Sequence, residues 1–378
     1  MRQPPEMRSN WNLLVPLLLL GIAGCDRSVG HVDGPAVWRF AIEESEGSVQ
    51  HAYAIEFEKR IEAKMNGRVD VVVYPYGTLG TSTQITEQLN LGILQFAMAS
   101  PGSLGKFIPE MQVFLLHFIL TDDDLANREL LANTDLLNRC DALYAQKGLK
   151  LLSIFTEGQM VWTTQREVRT PEDFRGVKMR VMTSPILLDA YNSYGANATP
   201  MPYAEVYSAL QLNMIDGQVN PVFAIERQKF YEVTNWMIFP GHAHFVTSAA
   251  ANRPFFDSLD DRDQAIITGV IDELRPHIDE VQRAYETERL KRIIRDRRDK
   301  RQVLNVVGDM QAFCESLNSE ELQELVTDNP YLNLAPPLTE SELERFRERS
   351  VQVQQTFLRV GGQQASALLD QLLGGTRP

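Results

Sequence analysis

Two spacings of apolar residues alternate along the chain, one of about two residues and one of about 3.6, and together they lay out its elements. At 37–42, "VWRFAI" reads as a strand. The next piece, "EESEGSVQHAYAIEFEKRIEAKMNG", reads as a helix with Ala52, Ile55, Phe57 and Ile61 on its apolar face and a stop at Asn66-Gly67. "RVDVVVYP" is a β-branched strand ended by Pro75, "TSTQITEQLNLG" a short helix closed by Gly92, and "ILQFAMAS" a third strand. Strand, helix, strand, helix, strand predicts an open α/β sheet with parallel neighbours.

A second set follows. "GLKLLSIFTEGQMVWTT" reads as strand and turn, "TPEDFRG" as a capped turn, "VKMRVM" as a strand, "SPILLDAYNSYG" as a helix and "ANATPMPY" as an extended piece. In "SALQLNMIDGQVNP" a helix stops at a turn signal, Asp216-Gly217, and Pro221 keeps Asn220 out of helical geometry. From about Pro254 the pattern is helical nearly throughout, with a long amphipathic helix between Asp260 and roughly Arg298. No internal repeat or low-complexity tract is seen. Two α/β lobes with a late helix long enough to reach across both form a clamp, and a cleft between lobes is a common ligand site.

The N-terminus adds an address. "LLVPLLLLGIAGC" is apolar but too short for a spanning helix, and it has the layout of a secretory signal. Ile22-Ala23-Gly24-Cys25 resembles a bacterial lipobox, in which Cys25 becomes the diacylated first residue, and Asp26 resembles an inner-membrane retention signal. Acyl chains contribute about 0.8 kcal/mol per buried methylene, so several anchor firmly. The expected product is exported to the periplasm and lipid-anchored there to the inner membrane.

Charge and cysteines mainly exclude. A net charge of -13 argues against a nucleic-acid partner. The basic run "RLKRIIRDRRDKR" is interleaved with Ile and Asp at helical spacing and reads as a solvated helix face. Beyond Cys25 only Cys140 and Cys314 remain, which permit a bridge without specifying one. CxxC, HExxH, GxSxG and GxGxxG are all absent, so no metal, cofactor or catalytic constellation is expected.

The segments "NGRVDVVVYPYGTLG", "TPEDFRGVKMRV", "GANATPMPYAEVYSALQLNMIDGQVNP" and "QKFYEV" resemble, in order and spacing, the DctP-type solute-binding proteins of TRAP (tripartite ATP-independent periplasmic) transporters. The resemblance implies a two-lobe α/β periplasmic binding protein, a type II-like clamp with a helix spanning both lobes and a helical C-terminal region. It would close over a small organic acid and hand it to the small and large membrane subunits. It places the carboxylate grip on Arg180, a second contact on Asn220 and a pocket-lining aromatic at Tyr203. A guanidinium suits the first role because its planar fork matches a carboxylate bidentately.

For the opposite lobe, the loop after the first strand nominates Glu43 and Glu44, the turn after the second Tyr76, and the end of the third Ser100. Many relatives carry a second Arg where this chain has Met160. With Trp162 and Gln159 beside it, a more apolar wall is expected there and a dicarboxylate is disfavoured. His117 replaces a usual Pro as a packing change, and His242 reads as structural.

The domains expected are 1–24 signal peptide, 25–36 tether, 37–157 with 246–285 as the first lobe, and 158–245 with 286–378 as the second. The second lobe carries an extra helical segment near 301–329. The expected function is capture of a small monocarboxylate, or of a zwitterion whose amine meets Glu43, by a protein that is not an enzyme. A sensory lipoprotein with the same clamp is the first rival; a hydrolase using Glu43 and His117 is the second.

Overall fold

The computed structural model describes residues 34–310, 312, 315, 320–327 and 329–376. The signal peptide, Cys25, nearly all of the tether, and Cys314 lie outside these residues. Cys140 is buried and has no disulfide partner among the described residues.

Two mixed sheets organise the described chain. The first contains β1 (Ala36–Ala41), β2 (Val69–Tyr74), β3 (Phe96–Ala99) and β4 (Leu149–Gln159). The second takes β5 (Val161–Thr164), β6 (Lys178–Val181), β7 (Asn197–Pro200), β8 (Gly217–Asn220) and β9 (Trp236–Ile238). The chain then returns to the first sheet as β10 (His244–Asn252) and extends the second with β11 (Leu304–Val307) and β12 (Leu332–Ala335). Strand orders are β2-β1-β3-β10-β4 and β12-β11-β9-β5-β8-β6-β7. β1 lies parallel to both β2 and β3, the arrangement that strand–helix–strand connections favour.

The helix Val49–Lys64 shows how local sequence sets packing. Ser48 caps it by accepting from the His51 N–H, and Val49, Tyr53, Phe57 and Ile61, spaced by four, turn inward. Ile55, expected on that face, is 40% exposed because it lies off this stripe. Asn66 and Gly67 end the element with φ of 53° and 72°, where glycine carries little penalty.

The chain passes between sheets at two places that brace each other. β4 leads into β5 through Met160, β9 leads into β10 through 239–243, and the Met160 N–H donates to the Ala243 carbonyl at 2.9 Å. A third link is the helix Asp261–Asp299, 39 residues long and capped by Asp260. Its first half packs in the first lobe through Ile267, Val270, Ile271, Leu274 and Ile278. Its second half packs in the other lobe through Leu290, Ile293 and Ile294.

Three expectations change here. The basic run on this helix is not simply a solvated face. Arg289 donates to Glu226 Oε2 and the Gly47 carbonyl at 2.8 Å, Lys291 pairs with Glu321 at 2.8 Å, and Arg297 donates to the Tyr231 and Thr234 carbonyls. Arginine supplies several donors from one planar group, so a basic helix face can fasten neighbouring segments. The segment near 301–329 is only partly helical, because "LNVV" joins the second sheet as β11, parallel to β9. The final helix, Ala365–Thr376, expected with the second lobe, buries Leu368, Leu369 and Leu372 in the cluster of Leu136, Cys140 and Tyr144.

Trp162, His117 and His242 share a buried aromatic layer. Trp162 is fully buried; its Nε1–H lies 2.9 Å from the Tyr191 hydroxyl and 3.1 Å from His242 Nε2. His117 Nδ1 meets the Tyr194 hydroxyl at 2.6 Å, and burial pushes this imidazole down to about 3, so it is neutral at physiological pH. Both histidines are structural in this layer. Trp162→Ala should destabilise the protein by about 3–5 kcal/mol in denaturant unfolding. A loss below about 1 kcal/mol would contradict this placement.

Candidate functional site

The carboxyl ends of strands from both sheets converge on one cavity of about 140 Å³. Open α/β sheets place ligands there because helix N-termini and loops gather at that edge. From the first sheet come Glu43 and Glu44 after β1, Tyr76 after β2, and Ser100 at the end of β3. The second sheet supplies Arg180 from β6, Tyr203 after β7 and Asn220 at the end of β8. The lobes are drawn together over it: the Tyr76 and Tyr203 rings meet edge to face at 5.8 Å, and Gly102 leaves room for the Met182 methyl group.

Arg180 is 3% exposed, and its Nε and Nη2 donate to the Met201 carbonyl at 3.2 and 2.9 Å. One carbonyl thus fixes one edge of the fork, and among the described residues no carboxylate forms an ion pair with it. Burial lowers the guanidinium to about 10, which still leaves it charged at neutral pH. Asn220 is oriented by its neighbour: its Nδ2 donates to Gln218 Oε1, and Gln218 Nε2 donates to Thr163 Oγ1 at 2.8 Å. Pro221, with φ -64° and ψ 160°, starts the helix Val222–Arg227 and holds Asn220 at the end of its strand.

Facing these groups is an acidic wall. Glu43 Oε2 accepts the Ser100 N–H at 2.7 Å, and the Glu43 N–H donates to Gln50 Oε1 at 2.8 Å. Gln50 Nε2 in turn donates to Glu157 Oε1 at 2.8 Å, so a third buried carboxyl stands behind the first two. Burial raises Glu43, while the hydroxyls of Ser103, Ser100 and Ser82 partly oppose the rise. Glu44 is raised to about 8, first by burial and then by the neighbouring charge of Glu43. Glu157 is raised well above the carboxylate range, mainly by burial. Among the described residues, no hydrogen-bond partner meets the buried Glu43 Oε1, Ser100 hydroxyl or Tyr203 hydroxyl. The Tyr203 hydroxyl is close enough to Glu44 to sense its charge, but the two do not reach hydrogen-bond geometry.

Of the residues nominated from sequence, the structure therefore brings Arg180, Asn220, Tyr203, Glu43, Tyr76 and Ser100 to one cavity. Met160 and Trp162 are elsewhere. Met160 is spent on the crossover between sheets, and Trp162 is enclosed in the aromatic layer. His117 belongs to that layer too, so it is not paired with Glu43.

Sequence reasoning missed Thr81, Ser82, Thr83, Ser103, Met182 and Phe245. Ser103 and Met182 lie within three residues of nominated positions. Phe245 arrives from the distant return strand and left no local signal.

This geometry defines a two-lobe solute-binding protein: a closed cleft with a buried guanidinium on one side and carboxyls on the other. Residues 40–319 match the family model described as bacterial extracellular solute-binding protein, family 7. The chain belongs to this family, the DctP-type solute-binding proteins of TRAP transporters. It is similar to the ectoine/5-hydroxyectoine-binding periplasmic protein UehA of Ruegeria pomeroyi, 36% identical over 93% of each chain. It is also similar to the ectoine-binding periplasmic protein TeaA of Halomonas elongata, 35% identical over 88% of each. The solved structure of that ectoine-binding protein superposes with a TM-score of 0.76, at 34% identity, over 90% of this chain and 98% of its own. A solute-binding protein from Marinobacter aquaeolei, solved in an open apo form, gives 0.75 at 35% identity over 89% and 99%.

Family members are periplasmic, bind small ligands, work with membrane permease subunits and are not enzymes. No described helix is long and apolar enough to cross a membrane.

Proposed function

We propose that this chain captures a zwitterion bearing a carboxylate and a delocalised cation, of the ectoine kind, and delivers it to the TRAP permease. The observation that carries the reading is the pairing of one buried guanidinium with two buried carboxyls across the cavity. A carboxylate fits the free edge of Arg180 and the Asn220 amide. A cation on the same molecule fits Glu43 and Glu44, with the Tyr76 and Tyr203 rings adding cation–π attraction. Either charge alone leaves the opposite wall uncompensated, and an unpaired buried charge is costly. The two ectoine-binding relatives support the same ligand class. They also favour it over a plain monocarboxylate.

Arg180→Ala tests the anchor. A charge-assisted hydrogen bond contributes about 1.5–3 kcal/mol, so titration calorimetry should show ectoine binding weakened about 10- to 100-fold. Unchanged affinity would sink the assignment.

Proton linkage tests the acidic wall. A plain monocarboxylate brings no cation, so closing the cleft over it keeps Glu44 protonated, near 8 against the ordinary 4.5. Its binding takes up a proton, and affinity is highest below the ordinary value. It then falls as pH rises between the two values and levels off above the higher one. A zwitterion holds Glu44 ionised and should bind with little change over this interval. Affinities of acetate and ectoine at pH 5.5, 7 and 8.5 check this; parallel slopes would contradict the assignment of the cation to Glu43 and Glu44.

The membrane tether is part of the proposal. Ile22-Ala23-Gly24-Cys25 supports lipidation at Cys25 after removal of residues 1–24, and Asp26 supports retention at the inner membrane. Expressed in a Gram-negative host fed labelled palmitate, the chain should carry label and fractionate with inner membranes. Cys25→Ser should remove the label; label retained in that variant would refute the site.

A further inference from the structure

We infer that Gly102 and Met182 form the contact that sets how far the lobes close on the ligand, a positioning pair for capture. It rests on the cleft as the ligand site and takes only a probe, ectoine, from the zwitterion reading above.

Gly102 is the second residue of the short helix Pro101–Leu104, so its backbone is helical. That conformation does not call for glycine; alanine suits it better, because glycine loses more chain entropy when ordered. The surroundings supply the reason instead. A Cβ on residue 102 would lie 2.3 Å from Met182 Cε and 3.1 Å from its Sδ, inside contact distance. Met182 belongs to the other lobe, one residue past β6, and both residues line the cavity. The missing side chain is therefore the seat of a residue that arrives from across the cleft.

This seat lies where it can position the ligand-binding groups. Gly102 follows Ser100 by two residues and Met182 follows Arg180 by two, and all four line the cavity. Seating the thioether thus fixes the spacing between the guanidinium and the first lobe's wall. Beside it, Ser184 Oγ donates to Gln112 Oε1 at 2.9 Å and ties the segment after β6 to the first lobe a second time. A methyl group at residue 102 overlaps the seated thioether. Either the lobes stop short, or the thioether turns into space that the ligand needs. Overpacking of this kind acts against the closed form. Opening the lobes parts the two residues and removes the overlap; the Marinobacter aquaeolei relative was solved in such an open form.

Gly102→Ala should weaken ectoine binding about tenfold in titration calorimetry, while the unliganded protein unfolds at a temperature no lower than the wild type. Adding Met182→Ala to Gly102→Ala should bring the affinity to within about threefold of Met182→Ala alone. A plain packing defect would lower both readouts and would not be rescued by trimming its neighbour. Unchanged affinity in Gly102→Ala, a loss that Met182→Ala does not rescue, or a less stable unliganded protein would each overturn the inference. A second arm needs no ligand. With Gly102→Cys and Met182→Cys combined, the Cβ atoms would stand 3.5 Å apart in the closed form, within disulfide range. Mild oxidation should join residues 102 and 182, as mapped by mass spectrometry, and ectoine should speed the reaction. Absence of that bond overturns the inference. A bond that forms at a rate indifferent to ectoine, with no ectoine binding to the wild type, overturns the zwitterion reading and leaves the contact standing.

Discussion

Taking Arg180, Glu43 and Glu44 out of water costs several kcal/mol per ion unless each is matched, and the cleft is organised around that cost. Arg180 is held by a single carbonyl, Met201, which orients the fork without neutralising it. Glu43 accepts the Ser100 N–H, nearby serine side chains partly offset its burial, and Glu44 shares its burial and its repulsion. The groups come from different sheets, so their mutual distance depends on how far the lobes close. A ligand carrying both charges lowers the free energy of the closed form more than that of the open one, which is the requirement for a solute to shift that equilibrium.

The rest of the fold makes such closure repeatable. The two strand crossovers are bonded to each other through Met160 and Ala243, and the helix Asp261–Asp299 packs along both lobes. Arg289 of this helix binds the Gly47 carbonyl, four residues after Glu43, and Glu226, six residues after Asn220. The segments that carry cavity-lining residues from each lobe therefore meet on one side chain behind the cleft. Behind Glu43, the relay through Gln50 to Glu157 and Thr247 ties the acidic loop to the two long strands of the crossover.

Much of this was legible in the sequence where a residue's chemistry and its neighbours act locally. The Asn220-Pro221 and Ser100-Pro101 pairs mark strand ends that face the cleft, because proline fixes the preceding residue in extended geometry. Arg180 within "KMRV" is a charged residue in an otherwise buried strand, and it lines the cavity. What could not be read depends on tertiary placement. Trp162 alternates like a pocket residue, yet its strand lies in the middle of the second sheet with an aromatic layer on that face. The basic helix face looked solvated because its partners, Gly47, Glu226, Tyr231 and Glu321, are scattered along the chain. Phe245 reaches the cavity on a strand that returns from the other lobe, a connection that no local periodicity encodes.

The most direct measurement is a crystal structure of the complex with ectoine. The ligand carboxylate should lie within hydrogen-bond distance of the Arg180 guanidinium, with the cationic nitrogen atoms on Glu43 or Glu44. A ligand bound in the reverse sense, or outside this cleft with Arg180 still bonded to Met201 alone, would contradict it.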